Sequence, residues 1–207
     1  MLQPGTLAPT FTLPRADTDG VVSLAEYRGR TSVLLALFRG LYCPFSRQQM
    51  AQLAKTTDKL RPLGVETLGV VATAADRARS YFRRVPTRLA LASDPDLTTH
   101  RAYGLDRWER NAETAVIIEQ AARQLLLALG IPPAPPGTSR DVLDQADGWE
   151  PSNNDRSDRE RHQIQLIGQF LIDRAGVIRW CSDERTAGYA VFPSEKQLLP
   201  AIESLAS

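Results

Sequence analysis

Val33-Leu34-Leu35-Ala36-Leu37-Phe38 runs directly into Arg39-Gly40-Leu41-Tyr42-Cys43-Pro44-Phe45-Ser46. Positions 33–38 are apolar without a break, the pattern of a strand covered on both faces at the centre of an α/β sheet. From Arg47 to Leu60 the spacing turns helical, with Met50, Leu53, Ala54 and Leu60 on one stripe. Pro44 suits the first turn of that helix. Cys43 therefore stands at a strand-to-helix switch, where backbone N–H groups and the helix dipole favour negative charge. A thiol so placed is expected to be partly ionised near neutral pH, and the thiolate is the nucleophile.

Outward from this stretch, strands and helices alternate. Val65 to Ala72 reads as a second buried strand, Ala74 to Arg84 as a helix closed before Pro86, and Leu89 to Ala92 as a third strand. Asp94-Pro95-Asp96 is expected to open a helix reaching about Tyr103, with Gly104 as its stop. Upstream, Pro4, Pro9 and Pro14 disfavour helix, and Thr10 to Leu13 alternate as a short strand does. Between Trp108 and Gln165 the rhythm breaks. Thr114 to Leu129 carries an apolar helical stripe, Pro132 to Gly137 must be looped, and the mixed-charge run Asp155 to Arg161 reads as solvated surface. Trp149 is expected either to pin this segment to the core or to close over a pocket. Order returns with Phe170–Asp173 and Val177–Cys181, joined through Arg174-Ala175-Gly176 as a hairpin. Alternation along the second strand would put Cys181 on the side of Val177 and Arg179. Ser194 would cap a last helix to Leu205. The expected architecture is one α/β domain over residues 1–207: a mixed central sheet flanked by helices, with an insertion at about 108–165 before the closing hairpin.

The chain has 207 residues and a formal net charge of +1. Near-neutrality gives no electrostatic reason to expect nucleic acid or an anionic membrane as partner. No apolar run approaches the roughly 20 residues of a membrane-spanning helix. Met1 to Thr6 lacks the basic start and apolar segment of a secretory signal, which favours the cytoplasm, where thiols stay reduced. The cysteines are Cys43 and Cys181 and the histidines His100 and His162, without a short-spaced pair among them. That argues against a structural zinc or iron–sulfur site, so no metal and no cofactor are expected.

Several segments, in this order, resemble the peroxiredoxin-like branch of the thioredoxin fold, the group related to alkyl hydroperoxide reductase and thiol-specific antioxidant proteins. They are Pro4 to Leu13, Val22 to Arg30, Ala92-Ser93-Asp94-Pro95 with Ala102-Tyr103-Gly104-Leu105, and Phe170 to Ile178. Arg39-Gly40 ahead of Cys43-Pro44 is similar to a subgroup carrying an Arg-Gly, aromatic, Cys-Pro-aromatic-Cys run. The likeness spares only about Trp108 to Gln165. It implies a thioredoxin-like fold, a redox-active cysteine at Cys43, and antioxidant peroxidase or oxidoreductase activity. The chain departs from the pattern at Ser46, where the subgroup has its second cysteine. It departs also at Ala36 and Gly40, where the usual loop has Pro and Thr, and near Ile167, where neither a proline nor an arginine stands.

A peroxidase needs a thiolate to attack the O–O bond, donors for the leaving oxygen and a reductant for the sulfenic acid. Cys43 is the candidate thiolate. Arg39, in the preceding loop, and Arg47, one helical turn on, are candidates for the stabilising charge. Ser46 is expected to donate its hydroxyl to the sulfur. Tyr42 is a pocket wall or a donor. With Ser46 in place of a cysteine no local disulfide forms, so the reductant is an external thiol, such as a thioredoxin-like protein or glutathione, or else Cys181. The leading expectation is a one-cysteine peroxidase acting on hydrogen peroxide or an organic hydroperoxide. Two alternatives stay open: a Cys-x-x-Ser disulfide oxidoreductase exchanging with glutathione or protein thiols, and a non-enzymatic scaffold with an inert Cys43. The Thr114–Leu129 stripe is expected to pack on the core, a partner or a homodimer seam being its other uses.

Overall fold

A computed structural model describes residues 1–193 and 195–205 of the chain. Along it run β1 (Thr12–Pro14), β2 (Val21–Ser23), β3 (Ser32–Phe38), α1 (Pro44–Leu60), β4 (Val65–Val71), α2 (Ala75–Arg84), β5 (Ala90–Ser93) and α3 (Thr98–Ala102). There follow β6 (Arg107–Trp108), α4 (Ala112–Ala128), α5 (Ser139–Ala146), α6 (Asn153–Arg161), β7 (Ile164–Gln165), β8 (Gly168–Ile172), β9 (Ile178–Asp183), α7 (Glu184–Ala187) and α8 (Glu195–Glu203).

The main sheet has the order β5-β4-β3-β8-β9. β4 runs parallel to both β3 and β5, while β8 is antiparallel to β3 and β9 to β8. This is the mixed sheet expected. Every residue of β3 is buried because β3 is central and covered on both sides. On one face Leu34, Ala36 and Phe38 share a core with Met50 and Leu53 of α1, Phe82 of α2 and Ile202 of α8. On the other, Val33, Leu35 and Leu37 share a core with Val22, Tyr103 and Phe170. Each fully buried leucine here contributes about 1.5–3 kcal/mol.

A small ladder holds the base of the inserted segment. Arg107 pairs with Gln165 and Trp108 with Ile164, and α4, α5 and α6 lie between the two strands. The apolar stripe of α4 packs inward: Ala122 and Leu126, with Leu143 of α5, form a cluster with Tyr42, Cys43 and Phe45. The insertion thus sits over the start of α1.

Several expectations change. The helix expected from Asp94 begins only at Thr98: residues 95–97 form a turn, with Leu97 left-handed at φ 57°, and the Asp94 carboxylate accepts the Thr99 N–H at 2.6 Å. The run expected to be solvated surface is α6, and its Asp155 is buried. Asp155 closes a capping box with Ser152 and accepts Arg77 at 2.8 Å. Trp149 pins the insertion, edge-on to Tyr81 and beneath the guanidiniums of Arg47 and Arg77 at 4.4 and 4.7 Å. Cys181 does not share a side with Val177 and Arg179. A register shift between Leu171 and Ile172 interrupts the alternation, so Cys181 joins Ile178 on the face of Phe170. The cap expected at Ser194 lies outside the described residues.

Candidate active site

Cys43 occupies the N-cap position of α1, with extended backbone (φ −103°, ψ 113°) and Pro44 as the first helical residue. Gly40 is required just before it: a Cβ there would come within 2.5 Å of the Tyr42 ring and 2.6 Å of the Ala72 carbonyl oxygen. The Ser46 backbone N–H faces the sulfur from the first helical turn without forming a full capping hydrogen bond. The Ser46 hydroxyl, expected to reach the sulfur, is buried with no hydrogen-bond partner. It is thus the main chain of Ser46, through its place in the first turn, that acts on the thiol.

Arg39 is buried, not a solvated loop arginine. Its Nε donates to Cys43 Sγ at 3.1 Å, and Nη1 donates to the Gln165 carbonyl at 3.0 Å. Both terminal nitrogens clasp the Glu184 carboxylate, at 2.6 and 3.0 Å. Glu184 is held in turn by the backbone N–H groups of Ile167 at 3.0 Å and Ala190 at 2.6 Å. Tyr189 lies against the guanidinium, its ring centre 4.6 Å from Cζ. A buried ion pair persists only when its remaining hydrogen-bonding capacity is met, as it is here. Burial opposes the charge on Arg39, but Cys43 and Glu184 beside it hold it protonated.

Burial pushes the Cys43 thiol up. Arg39 and Arg140 pull it down more strongly, through their charges and the Arg39 hydrogen bond, with a smaller pull from the Ser46 N–H, so its pKa falls below the ordinary thiol value. Arg39 is already neutralised by Glu184, so Arg140 matters: its Nη2 donates to the Tyr42 carbonyl at 2.7 Å, beside the sulfur. Arg47 points elsewhere. It is bonded to Asp144 at 2.6 Å, to Asp147 at 2.8 Å and to the Leu41 carbonyl at 2.6 Å, tying α5 to the loop before Cys43. Its charge is met there, which removes it as a thiolate stabiliser.

The Tyr42 ring lines the approach, but its hydroxyl is committed. His162 Nε2 contacts the Pro95 carbonyl at 2.8 Å and so carries the proton. Its Nδ1 therefore accepts from Tyr42 Oη at 3.3 Å. Cys43 forms part of the wall of a cleft of about 340 Å³ between the sheet end and the insertion. Cys181 belongs to the core on the far face of the sheet from α1, and neither cysteine is in a disulfide. Burial and Asp183 push its thiol up.

Sequence reasoning put Arg39, Cys43 and Ser46 at one loop and missed Glu184, Arg140 and Tyr189. One signal pointed to them indirectly. An arginine between Phe38 and Gly40, at the end of a buried strand, needs a carboxylate, and the loop supplies none.

A model described as the AhpC/TSA family matches residues 4–127. The chain belongs to the AhpC/TSA family. A Mycobacterium tuberculosis protein named as a peroxiredoxin is 32% identical over 106 residues, which cover 50% of this chain and 66% of that one, just under two thirds of its length. Peroxiredoxin Bcp of Escherichia coli is 28% identical over 105 residues, 50% of this chain and 65% of that protein. The crystal structure of the peroxidoxin BcpB from Mycobacterium tuberculosis superposes with a TM-score of 0.60 at 12% identity, covering 100% of this chain and 97% of that one. At that identity the likeness concerns the thioredoxin-like fold of this AhpC/TSA chain. The family match ends within α4, at residue 127, so most of the insertion lies beyond it. No helix among the described residues is long and apolar enough to cross a membrane.

Proposed function

We propose that this protein is a one-cysteine thiol peroxidase that reduces hydroperoxides through Cys43. The observation that carries the reading is the 3.1 Å bond from Arg39 to the Cys43 sulfur within a buried Arg39–Glu184 pair. Family membership and the peroxiredoxin names of the matched relatives support it.

In this mechanism the Cys43 thiolate attacks the outer peroxide oxygen. An S–O bond forms as the O–O bond breaks, and the inner oxygen leaves with the electron pair and takes a proton to become water or an alcohol. Arg39 and the N–H groups at the start of α1 stabilise the charge that moves onto the oxygens. Glu184 is a positioning residue, acting through Arg39. An external thiol then attacks the sulfenic acid, expelling water to form a mixed disulfide, and a second thiol releases Cys43. The far-face position of Cys181 supports a reductant from outside the chain, a thioredoxin-like protein or glutathione.

The test is peroxide consumption with a thiol reductant, for the parent protein and for Cys43→Ser. Turnover should vanish in the variant, and mass spectrometry should find peroxide-dependent oxygen on Cys43 of the parent. Equal consumption by both proteins, or an unoxidised Cys43, overturns the reading.

A further inference from the structure

The insertion places three arginines around the cleft that Cys43 borders. Arg110 precedes α4, Arg140 lies on α5 and Arg159 on α6, and all border the cleft. Among the described residues, none of the three has a carboxylate oxygen within the 4.0 Å of an ion pair, whereas Arg39, Arg47 and Arg77 nearby are each paired. Their bonds run to carbonyls instead: Arg140 to that of Tyr42 at 2.7 Å, and Arg110 to that of Arg159 at 2.9 Å. The Nε atoms of Arg140 and Arg159 are buried with no acceptor. Burial first, then the charges of Arg140 and Arg110, disfavour the charged form of Arg159 more than the charges of Asp144 and Asp141 favour it. Two carboxylates also border the cleft, Glu119 and Asp141. Glu119 accepts the Ser139 hydroxyl at 2.6 Å and faces Arg123 at 3.9 Å. Ala115, Ile118 and Ile164 add apolar lining to the same cleft.

We propose that this cleft binds the carboxylate of an acidic organic reactant of Cys43, with Arg110, Arg140 and Arg159 on the carboxylate and Ala115, Ile118 and Ile164 along its carbon chain. Guanidinium forks match carboxylates in two-point hydrogen bonds, and each supplies donors that the present contacts leave unused. The inference rests on Cys43 as the reacting thiol. Two reactants share the chemistry. One is a carboxylic-acid hydroperoxide, whose outer oxygen passes to the thiolate while the inner leaves as a hydroxy acid. The other is an acidic thiol such as glutathione, whose sulfur replaces water on the sulfenic acid.

The first measurement needs no turnover: calorimetric titration of the reduced full-length protein with octanoate, S-methylglutathione and the neutral octanamide. At least one of the two anions should bind about tenfold or more tighter than octanamide, and Arg110→Gln with Arg159→Gln should erase that preference. Arg110 is exposed, so Arg110→Gln alone serves should the double variant fail to fold. The second compares rates of Cys43 oxidation by linoleic acid hydroperoxide and by its methyl ester, and of sulfenic acid reduction by glutathione and by neutral thiols. An acid preference in the oxidation step assigns the site to the hydroperoxide, and one in the reduction step to the thiol. Neither anion binding better than octanamide, or a preference that survives both substitutions, overturns the cleft's assignment. A Cys43 inert to every peroxide would sink the peroxidase reading instead, and the calorimetry would still judge the cleft.

Discussion

Arg39 serves two charges at once: it donates to the sulfur of Cys43 and is clasped by Glu184. Each relation has its own test. Arg39→Gln removes the cation nearest the sulfur and leaves burial unopposed except by Arg140 and the helix start. The Cys43 pKa should then rise, read from the ultraviolet absorbance of the thiolate against pH. An unchanged titration would show that Arg39 does not set the thiol. Glu184→Gln leaves Arg39 buried without its carboxylate, and urea unfolding should report a loss of about 3–5 kcal/mol. At this scale the sequence exposes the candidate nucleophile, because N-cap chemistry is local: Cys43 before Pro44, after an unbroken apolar strand. It hides the partners. Glu184 stands 145 positions from Arg39, and no spacing rule joins them. Ser46 was visible in the motif, yet its hydroxyl has no partner and its main chain acts instead.

Among elements, the insertion is the part whose form the sequence conceals most. The stripe on α4 is periodic and therefore legible as helix. α6 is so polar that charge patterning outweighs its capping box, though Ser152 and Asp155 stand at the spacing such a box requires. Short β6 and β7 hold only Arg107–Trp108 and Ile164–Gln165, too few residues for alternation to show. What fastens the insertion is Trp149, with Tyr81 at its edge and Arg47 and Arg77 over its ring. Trp149→Ala should cost about 3–5 kcal/mol in urea unfolding, and limited proteolysis should cut first between α5 and α6. Cleavage no faster than in the parent protein would show that the ladder of β6 and β7 suffices.

For the whole molecule, the sheet order follows from the chain. Three parallel strands joined through helices place β3 inside, and a hairpin closes the far edge. The run from Val33 to Phe38 announced this because a strand buried on both sides has no polar face to spare. His100 links this core to pH. It is fully buried; its Nε2 donates to the Phe38 carbonyl at 3.1 Å, and its Nδ1 has no partner. Burial lowers its pKa from 6.5 to about 4. Between those values the unfolded chain binds the proton and the folded one does not. Stability therefore falls with falling pH across that window, by about 1.4 kcal/mol per pH unit and on the order of 3 kcal/mol in all. His100→Gln should flatten the fall, as measured by unfolding midpoints from pH 7 to about 4. A parallel decline in both proteins would assign the acid sensitivity to other groups.

Glu184 begins α7, downstream of every strand of the main sheet. A ribosome-bound chain therefore exposes its Cys43 long before the carboxylate that steadies Arg39 has been made. Until the last hairpin docks, that sulfur lacks the fixed cation that lowers its pKa in the folded protein. The environment of Cys43 is therefore set by a contact that closes only after residue 184 has been made and the last strands have packed.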